Sequence, residues 1–594
     1  MVRRLLPQPG LLRSQTHAPP LSAGALLAPL SLACAQPAVP RRGRGLRPPP
    51  PRCLRPRGER GSRHLRPPAA RGALCRRGLL DPARPVSAPA VREGWQPSSW
   101  WPPVALGGAL IIRLAFFGGL LGWDDLAYWD VARSFRQGDF VPNSLFGVRY
   151  PVFAPLALCQ TLFGETEYAA ALVPLAYSLG ELVLAYALGV VYGGRGLGLA
   201  AVALLSVLPV AVLEATELNA DLPAGVWMAA SVYAGIRGEL APDGGRRWFL
   251  AAGLALGLAW LTKDSALVLL AVFGLRAAGR QSARAGAAWL ATGLAAVIVA
   301  QLAWSAWATG DPLDRYSARL AAPHAEHVRM LAPSYAWMLA YPRMLLDPLD
   351  GRFGYFAGVF YLVLVGTVWG VRRGDRAIQE LAAWWGPIVL IFSVMPLDST
   401  FTRPLFHQYA RKLEPLVIPF ALTAARWWLD ALARRPPARV AVLSGFVGLA
   451  ALGIWTTHAD YRSWAAVARQ AAPVIDGHPP DAVVITDNTN GSLLRALLPA
   501  RRARILPTAG LDREPWPGAV LVLQDPLLLE SDVVHGRPIP PRLAAPPADW
   551  VRLAEFTRPQ RVGLRSLLLS RGRAPEGPPP PSVLWLVPAS GRAR

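Results

Sequence analysis

Asp124 and Asp125 stand side by side directly after the first long apolar run of the chain, in Gly122-Trp123-Asp124-Asp125-Leu126-Ala127-Tyr128. Two carboxylates, an indole and a phenol thus fall within seven residues. A positioned carboxylate can take the proton from an attacking hydroxyl, and charge at the edge of hydrocarbon is costly enough to mark a functional site by default. The same pair would also serve as a helix N-cap, where Asp is common. Other polar residues gather at the ends of later apolar runs. Arg149 precedes the second. Glu214, Glu217 and Asp221 are spaced three and four apart, so on a helix they would share one face; otherwise they form a polar turn. Lys263 adjoins Asp264, as a cation open to a ligand or as half of a self-neutralising pair. Arg411 adjoins Lys412. Lys263 and Lys412 are the only two lysines in the chain.

One chemistry uses such a set. Nucleotide sugars are cytoplasmic, so an enzyme working at the far side of a membrane needs a donor delivered through lipid, and a polyprenyl-phosphate sugar fits. Its phosphate leaves readily when cations offset the developing charge. Its anomeric carbon passes through an oxocarbenium-like state, and a carboxylate accepts the proton of the acceptor hydroxyl. Asp124 or Asp125 supplies the base in this reading, with Arg149, Lys263 and Arg411 as phosphate partners. Glu214, Glu217 and Asp221 are candidates for sugar hydroxyls or a divalent metal. No cofactor is otherwise indicated. His324 and His327 flank Glu326 at a spacing that would allow metal ligation on a helix. Cys34, Cys53, Cys75 and Cys159 show neither zinc-site nor disulfide spacing.

The elements that carry these residues are apolar helices. The 594-residue chain is 53% hydrophobic, and its mean hydropathy is +0.28. Runs long enough to cross a bilayer recur. They cover roughly 101–121, 169–191, 197–213, 222–236, 248–262, 264–275, 286–308, 354–371, 381–397, 412–425 and 440–457. The chain therefore reads as a polytopic α-helical membrane protein with about eleven transmembrane helices. The formal charge of +24 does not point to nucleic acid, because 18 Arg against three acids, about +15, lie in residues 1–96. That Arg- and Pro-rich tail, 1–97, reads as disordered and cytoplasmic; a signal-peptide reading rests on Ala33-Cys34-Ala35 but is interrupted by Pro29. With the tail inside, Arg195, Arg237, Arg246, Arg247, Arg276, Arg280, Arg284, Arg372, Arg373, Arg376, Arg426, Arg434, Arg435 and Arg439 fall in inner loops, as the positive-inside rule requires. The candidate site residues then share the outer face with two long loops, 122–168 and 309–353. After the membrane domain, 98–457, residues 458–594 alternate strand and helix signals: strands at 481–487 and 518–524 with a helix at 492–498 between them. They read as a small extracytoplasmic α/β domain without a Gly-rich phosphate loop.

The order of these motifs resembles the GT-C superfamily of membrane glycosyltransferases, in particular its bacterial protein-mannosyltransferase-like and aminoarabinose-transferase-like branch (families 39 and 83). The resemblance rests on Trp123-Asp124-Asp125-Leu126-Ala127-Tyr128, Arg149-Tyr150-Pro151-Val152-Phe153-Ala154-Pro155, Asp221-Leu222-Pro223, Gly257 to Lys263, and Arg411-Lys412-Leu413-Glu414-Pro415. It covers about residues 100–457. It implies an inverting hexosyl or pentosyl transfer from a polyprenyl-phosphate donor to a lipid, glycan or protein acceptor at the outer face of a bacterial plasma membrane. Asp124 would be the base and Asp125 would position sugar or acceptor. Tyr128, Arg149, Lys263, Arg411, Lys412, Asp221, Glu217 and Glu214 would bind the donor. The segment around Arg149 lacks the His-Pro-Pro of many relatives, and Ala410-Arg411-Lys412-Leu413-Glu414 stands where Arg-Tyr-Leu-Leu is usual. That leaves open which of Arg411 and Lys412 is the functional cation. A secondary transporter would instead place polar residues near the bilayer midplane, often in repeated halves, and no internal repeat is present. A non-catalytic membrane scaffold would tolerate loss of Asp124.

Overall fold

The computed structural model describes residues 98–588 except 99, 123, 141, 143, 321–333, 348–355, 397–403, 405–409, 432, 434, 513–518, 530–538 and 560–579. The tail 1–97, Trp123 and the His324-Glu326-His327 group lie outside the described residues. Each apolar run holds a helix among the described residues, and further helices lie between the runs. In chain order these are α1 (Trp101–Ala115), α2 (Asp124–Gln137), α3 (Tyr150–Phe163), α4 (Glu167–Gly193), α5 (Arg195–Val207), α6 (Pro209–Leu213) and α7 (Asp221–Leu240). There follow α8 (Arg246–Thr262), α9 (Leu269–Gly279), α10 (Gln281–Thr309), α11 (Asp314–Leu320) and α12 (Ala340–Leu346). The last are α13 (Val359–Arg373), α14 (Arg376–Val394), α15 (Val417–Ala431) and α16 (Pro436–Asp476). Among the described residues, α4, α10, α14 and α16 are long and apolar enough to cross a membrane.

Local chemistry sets the helix ends. The Thr166 side chain accepts from the Ala169 amide at 3.1 Å to start α4, and Asp375 accepts from Ile378 at 3.2 Å to start α14. Pro209 has no amide to donate and pushes Leu208 into an extended conformation (ψ 122°), so the run expected at 197–213 is broken into α5 and α6. Where α8 and α10 cross, Gly253 and Gly293 face the opposing backbone, and a Cβ on either would collide with a carbonyl of the other helix. Small residues let apolar helices approach this closely without hydrophobic drive between them. Large apolar side chains on the outer helix surfaces stay uncovered, Ile111 at 68% and Val299 at 62% exposure among them, as a lipid-facing surface requires.

The two ends of α7 differ. Asp221 opens it among the candidate site residues, and Glu239 sits near its other end. There Arg276 donates to Glu239 at 2.8 Å, and Arg280 bridges Glu239 to Glu380. A 20-residue helix spans about 30 Å, the thickness of the hydrocarbon core. The site end and the basic end are therefore a membrane thickness apart.

Beyond the bundle, among the described residues, a five-stranded sheet has the order β2-β1-β3-β5-β4. Its strands are β1 (Val483–Thr486), β2 (Ile505–Pro507), β3 (Val520–Gln524), β4 (Val551–Phe556) and β5 (Ser582–Val587). β1 pairs parallel with β2 and β3, and α17 (Asn488–Leu497) makes the crossover from β1 to β2. β5 is antiparallel to β3 and β4. The helix expected at 492–498 begins four residues earlier, because Asp487 caps it by accepting from the Asn490 amide at 2.8 Å.

Candidate active site

Asp124 is the first residue of α2. Its Oδ2 accepts from Arg411 Nη2 at 2.7 Å, and its side chain keeps 39% of its exposure, so it can still meet a solvent-borne or lipid-borne group. Asp125 is turned the other way. It is 2% exposed, and its Oδ2 accepts from the amides of Leu121 at 2.5 Å and Gly122 at 3.2 Å. The two carboxylates, either of which could be the base by sequence, thus divide: Asp124 opens outward while Asp125 holds the entry loop. Gly122 lies at φ +104°, and a Cβ there would come within 3.0 Å of the Thr489 methyl at the start of α17. A Gly122→Ala variant is expected to lose about 1–3 kcal/mol of stability through the left-handed backbone and that contact. Chemical denaturation in detergent checks this, and a wild-type midpoint would contradict it.

Arg411 is the hub. Besides Asp124 it reaches Glu217 Oε1 at 3.2 Å and Asp221 Oδ2 at 3.6 Å. Lys263 also bonds Asp221. The Lys263-Asp264 pair therefore does not neutralise itself: Lys263 turns to Asp221, and Asp264 turns to Arg315 Nε at 2.9 Å. Glu214 and Glu217 lie in the non-helical turn before α7, so the expected common helical face does not form. Turn geometry and Arg411 instead bring Glu217 and Asp221 together, while Glu214 accepts from Asn219 below them.

Burial holds the Glu217 carboxyl up at about 7; Arg411 pulls it down, and Asp124, Asp125 and Asp221 push it up further. An unfolded Glu loses its proton near 4.5, while the folded one keeps it to about 7, so between these values the native state binds more protons. The stability Glu217 contributes is full below the lower value and is lost as pH rises through the upper one. Melting temperature in detergent is expected to fall from pH 5 to 7.5, and Glu217→Gln is expected to flatten that slope. An unchanged slope in the variant would assign it elsewhere.

Arg149 caps the entry to α3 and donates from Nη1 to the Tyr128 hydroxyl at 2.6 Å. Burial raises the Tyr128 phenol to about 12, so it stays protonated beside that cation. Phe146 meets the Tyr128 ring edge-on at 5.1 Å. Lys412 interacts electrostatically with Lys263, Asp221, Arg411 and Asp124 and so belongs to the same site. All ten residues expected from the sequence lie at or beside one site, with Asp125 and Glu214 on its inner, backbone-holding side. Sequence reasoning missed Arg315, which ties two of the site's loops together. Its signal, one Arg in a long loop, is indistinguishable from a surface charge until the fold is known.

A family model described as dolichyl-phosphate-mannose-protein mannosyltransferase matches residues 151–304, a stretch that holds Glu214 to Asp221 and Lys263. The crystal structure of ArnT from Cupriavidus metallidurans in the apo state is similar at TM-score 0.50 and 13% identity, covering 82% of this chain and 97% of that one. The same protein bound to undecaprenyl phosphate is similar at TM-score 0.53 and 14% identity, covering 82% and 98%. The chain has a GT-C fold. No curated protein matches its sequence. In this GT-C chain Asp124, Arg149 and Arg411 lie outside the matched stretch, yet the fold returns Asp124 and Arg411 to Glu217 and Asp221, which lie within it.

Proposed function

We propose that the chain transfers a hexose or pentose from a polyprenyl-phosphate donor to a lipid, glycan or protein acceptor at the extracytoplasmic face of a bacterial plasma membrane, with inversion at the anomeric carbon. The observation that carries this reading is the half-exposed Asp124 carboxylate, fixed by Arg411 at the rim of a site that also holds Arg149, Lys263 and Lys412. Asp124 takes the acceptor's hydroxyl proton as that oxygen bonds to the anomeric carbon. The bond from that carbon to the phosphate oxygen breaks, and its electron pair leaves with the phosphate. Arg149, Lys263 and Lys412 offset the charge that develops there. Glu217 and Asp221 hold Arg411 and Lys263 in place, and Asp221 and Tyr128 contact the sugar end. The N-terminal tail is cytoplasmic and the sheet domain lies outside, beside the acceptor.

Among the described residues no three His, Cys, Asp or Glu side chains are placed to hold a metal ion. Glu214, Glu217 and Asp221 are divided among Asn219, Arg411 and Lys263, and the steps above use only the chain's own groups. Two of the similarities support the donor class: one is to a mannosyltransferase family named for dolichyl phosphate, the other to a structure with undecaprenyl phosphate bound. The test is transfer by the purified protein in detergent, offered a panel of labelled polyprenyl-phosphate sugars and membrane extract as acceptor. Label in a new product names the donor. No transfer from any donor leaves the transporter or scaffold reading standing.

A further inference from the structure

We propose that Arg315 is a positioning residue that sets the two phosphate-facing cations, Arg149 and Lys263, by clamping the loops that carry them; this rests on the lipid-phosphate reading above. Arg315 lies in α11, after the longest of the bundle's apolar helices before α16, and is 4% exposed. Its guanidinium spends its donors on protein. Nη1 donates to the Val148 carbonyl at 2.8 Å and to the Leu261 carbonyl at 3.2 Å. Nη2 donates to the Trp260 carbonyl at 2.6 Å, and Nε to Asp264 Oδ1 at 2.9 Å. The guanidinium also lies 4.7 Å from the centre of the Trp260 ring.

The partners explain the role. Val148 is the residue before Arg149, and Trp260, Leu261 and Asp264 surround Lys263. The last carbonyls of a helix have no partner within it, and at the end of α8 the Lys263 amide takes only that of Ala259, at 2.8 Å. Arg315 takes the next two, and its charge is favourable at that helix end. Asp264 lies where it attracts both Arg315 and Arg149, which repel each other. One buried guanidinium therefore joins α3's entry loop to α8's exit. Buried and engaged in this way, it acts on a phosphate through Arg149 and Lys263 and does not touch it. A lysine could not replace it, because a single ammonium cannot reach carbonyls and a carboxylate in this fork.

The test measures binding of undecaprenyl phosphate to the full-length protein in detergent by titration calorimetry. Arg315→Gln and Arg315→Lys are each expected to weaken binding at least tenfold. In a Lys263→Gln background the further Arg315→Gln change is expected to cost roughly threefold, less than in the wild type, because one of the two cations it positions is gone and only Arg149 is left to be displaced. Equal losses in both backgrounds would mean independent effects and overturn the proposal, as would wild-type affinity in Arg315→Gln. Should Arg315→Gln fail to fold, Asp264→Asn takes its place in the same pair of backgrounds, since it removes the ion pair and leaves the carbonyl contacts available. A smaller loss beside Lys263→Gln than in the wild type then supports the proposal, and equal losses overturn it. Absence of binding by the wild-type protein would instead overturn the lipid-phosphate reading itself.

Discussion

Asp124→Asn is expected to lower the initial rate of sugar transfer by roughly 10²–10⁴-fold, the usual contribution of a general base, while the melting temperature stays within a degree or two of wild type. The amide has the shape of the carboxylate, and its oxygen can still accept from Arg411, which holds Asp124 at 2.7 Å. Only the capacity to take a proton is lost. Asp125→Asn is the contrast. Its carboxylate serves the Leu121 and Gly122 amides, so that change is expected to lower stability more than it lowers the rate of the folded fraction. A full rate in Asp124→Asn with a dead Asp125→Asn would move the base to Asp125. A full rate in both would remove the carboxylate base from the mechanism.

The second large effect is expected at Arg411. It faces Asp124, Glu217 and Asp221, and its side chain is 17% exposed. Removing one partner of a buried ion pair leaves charge uncompensated and costs about 3–5 kcal/mol. Here three carboxylates lose the cation they share, although Lys263 still meets Asp221. Arg411→Gln is therefore expected to lower the denaturation midpoint by an amount in that range and to abolish transfer. Arg411→Lys keeps the charge but not the fork, so it is expected to recover most of the stability and little of the rate. Denaturation and transfer measured on the same preparations separate the two. A wild-type midpoint in Arg411→Gln would show that the three acids do not depend on it.

Where a signal is local, the sequence is enough to read it. Apolar runs give helices because length and hydropathy suffice, and Asp124, Tyr128 and Arg149 stand out because each lies at the end of such a run. Arg411 stands out by position, but its role does not: the partners that define it lie 287 and 194 residues away in the chain. The same distance hides Arg315, whose contact with Val148 spans 167 residues. Inside the bundle Arg113 donates to Ser178 at 2.6 Å and attracts Glu181. Each is a single charge within an apolar run, and nothing in the neighbouring sequence says that it will meet a partner. The split of Lys263 from Asp264 is equally unreadable, because adjacent opposite charges pair by default unless the fold offers each something better. Strand β2 escapes notice because it is only three residues long, and β4 because Arg552 and Glu555 interrupt its apolar pattern; β5 escapes as well.

Helix α16 is 41 residues long, which makes it about 60 Å from end to end, twice the hydrocarbon thickness. Its first half lies among the bundle helices and its second half packs beneath the sheet domain, where Arg558 donates to the Ser463 carbonyl at 2.8 Å and Arg469 bonds Glu167. Arg502 of the sheet domain also pairs with Asp130 of α2. The sheet is thus mounted on a continuous mast that rises out of the membrane domain: Arg558 ties sheet to mast, Arg469 ties mast to α4, and Arg502 ties the sheet domain to α2. The helix that carries it runs unbroken from Pro436 to Asp476. One helix is thus both a wall of the membrane bundle and the floor of the sheet domain.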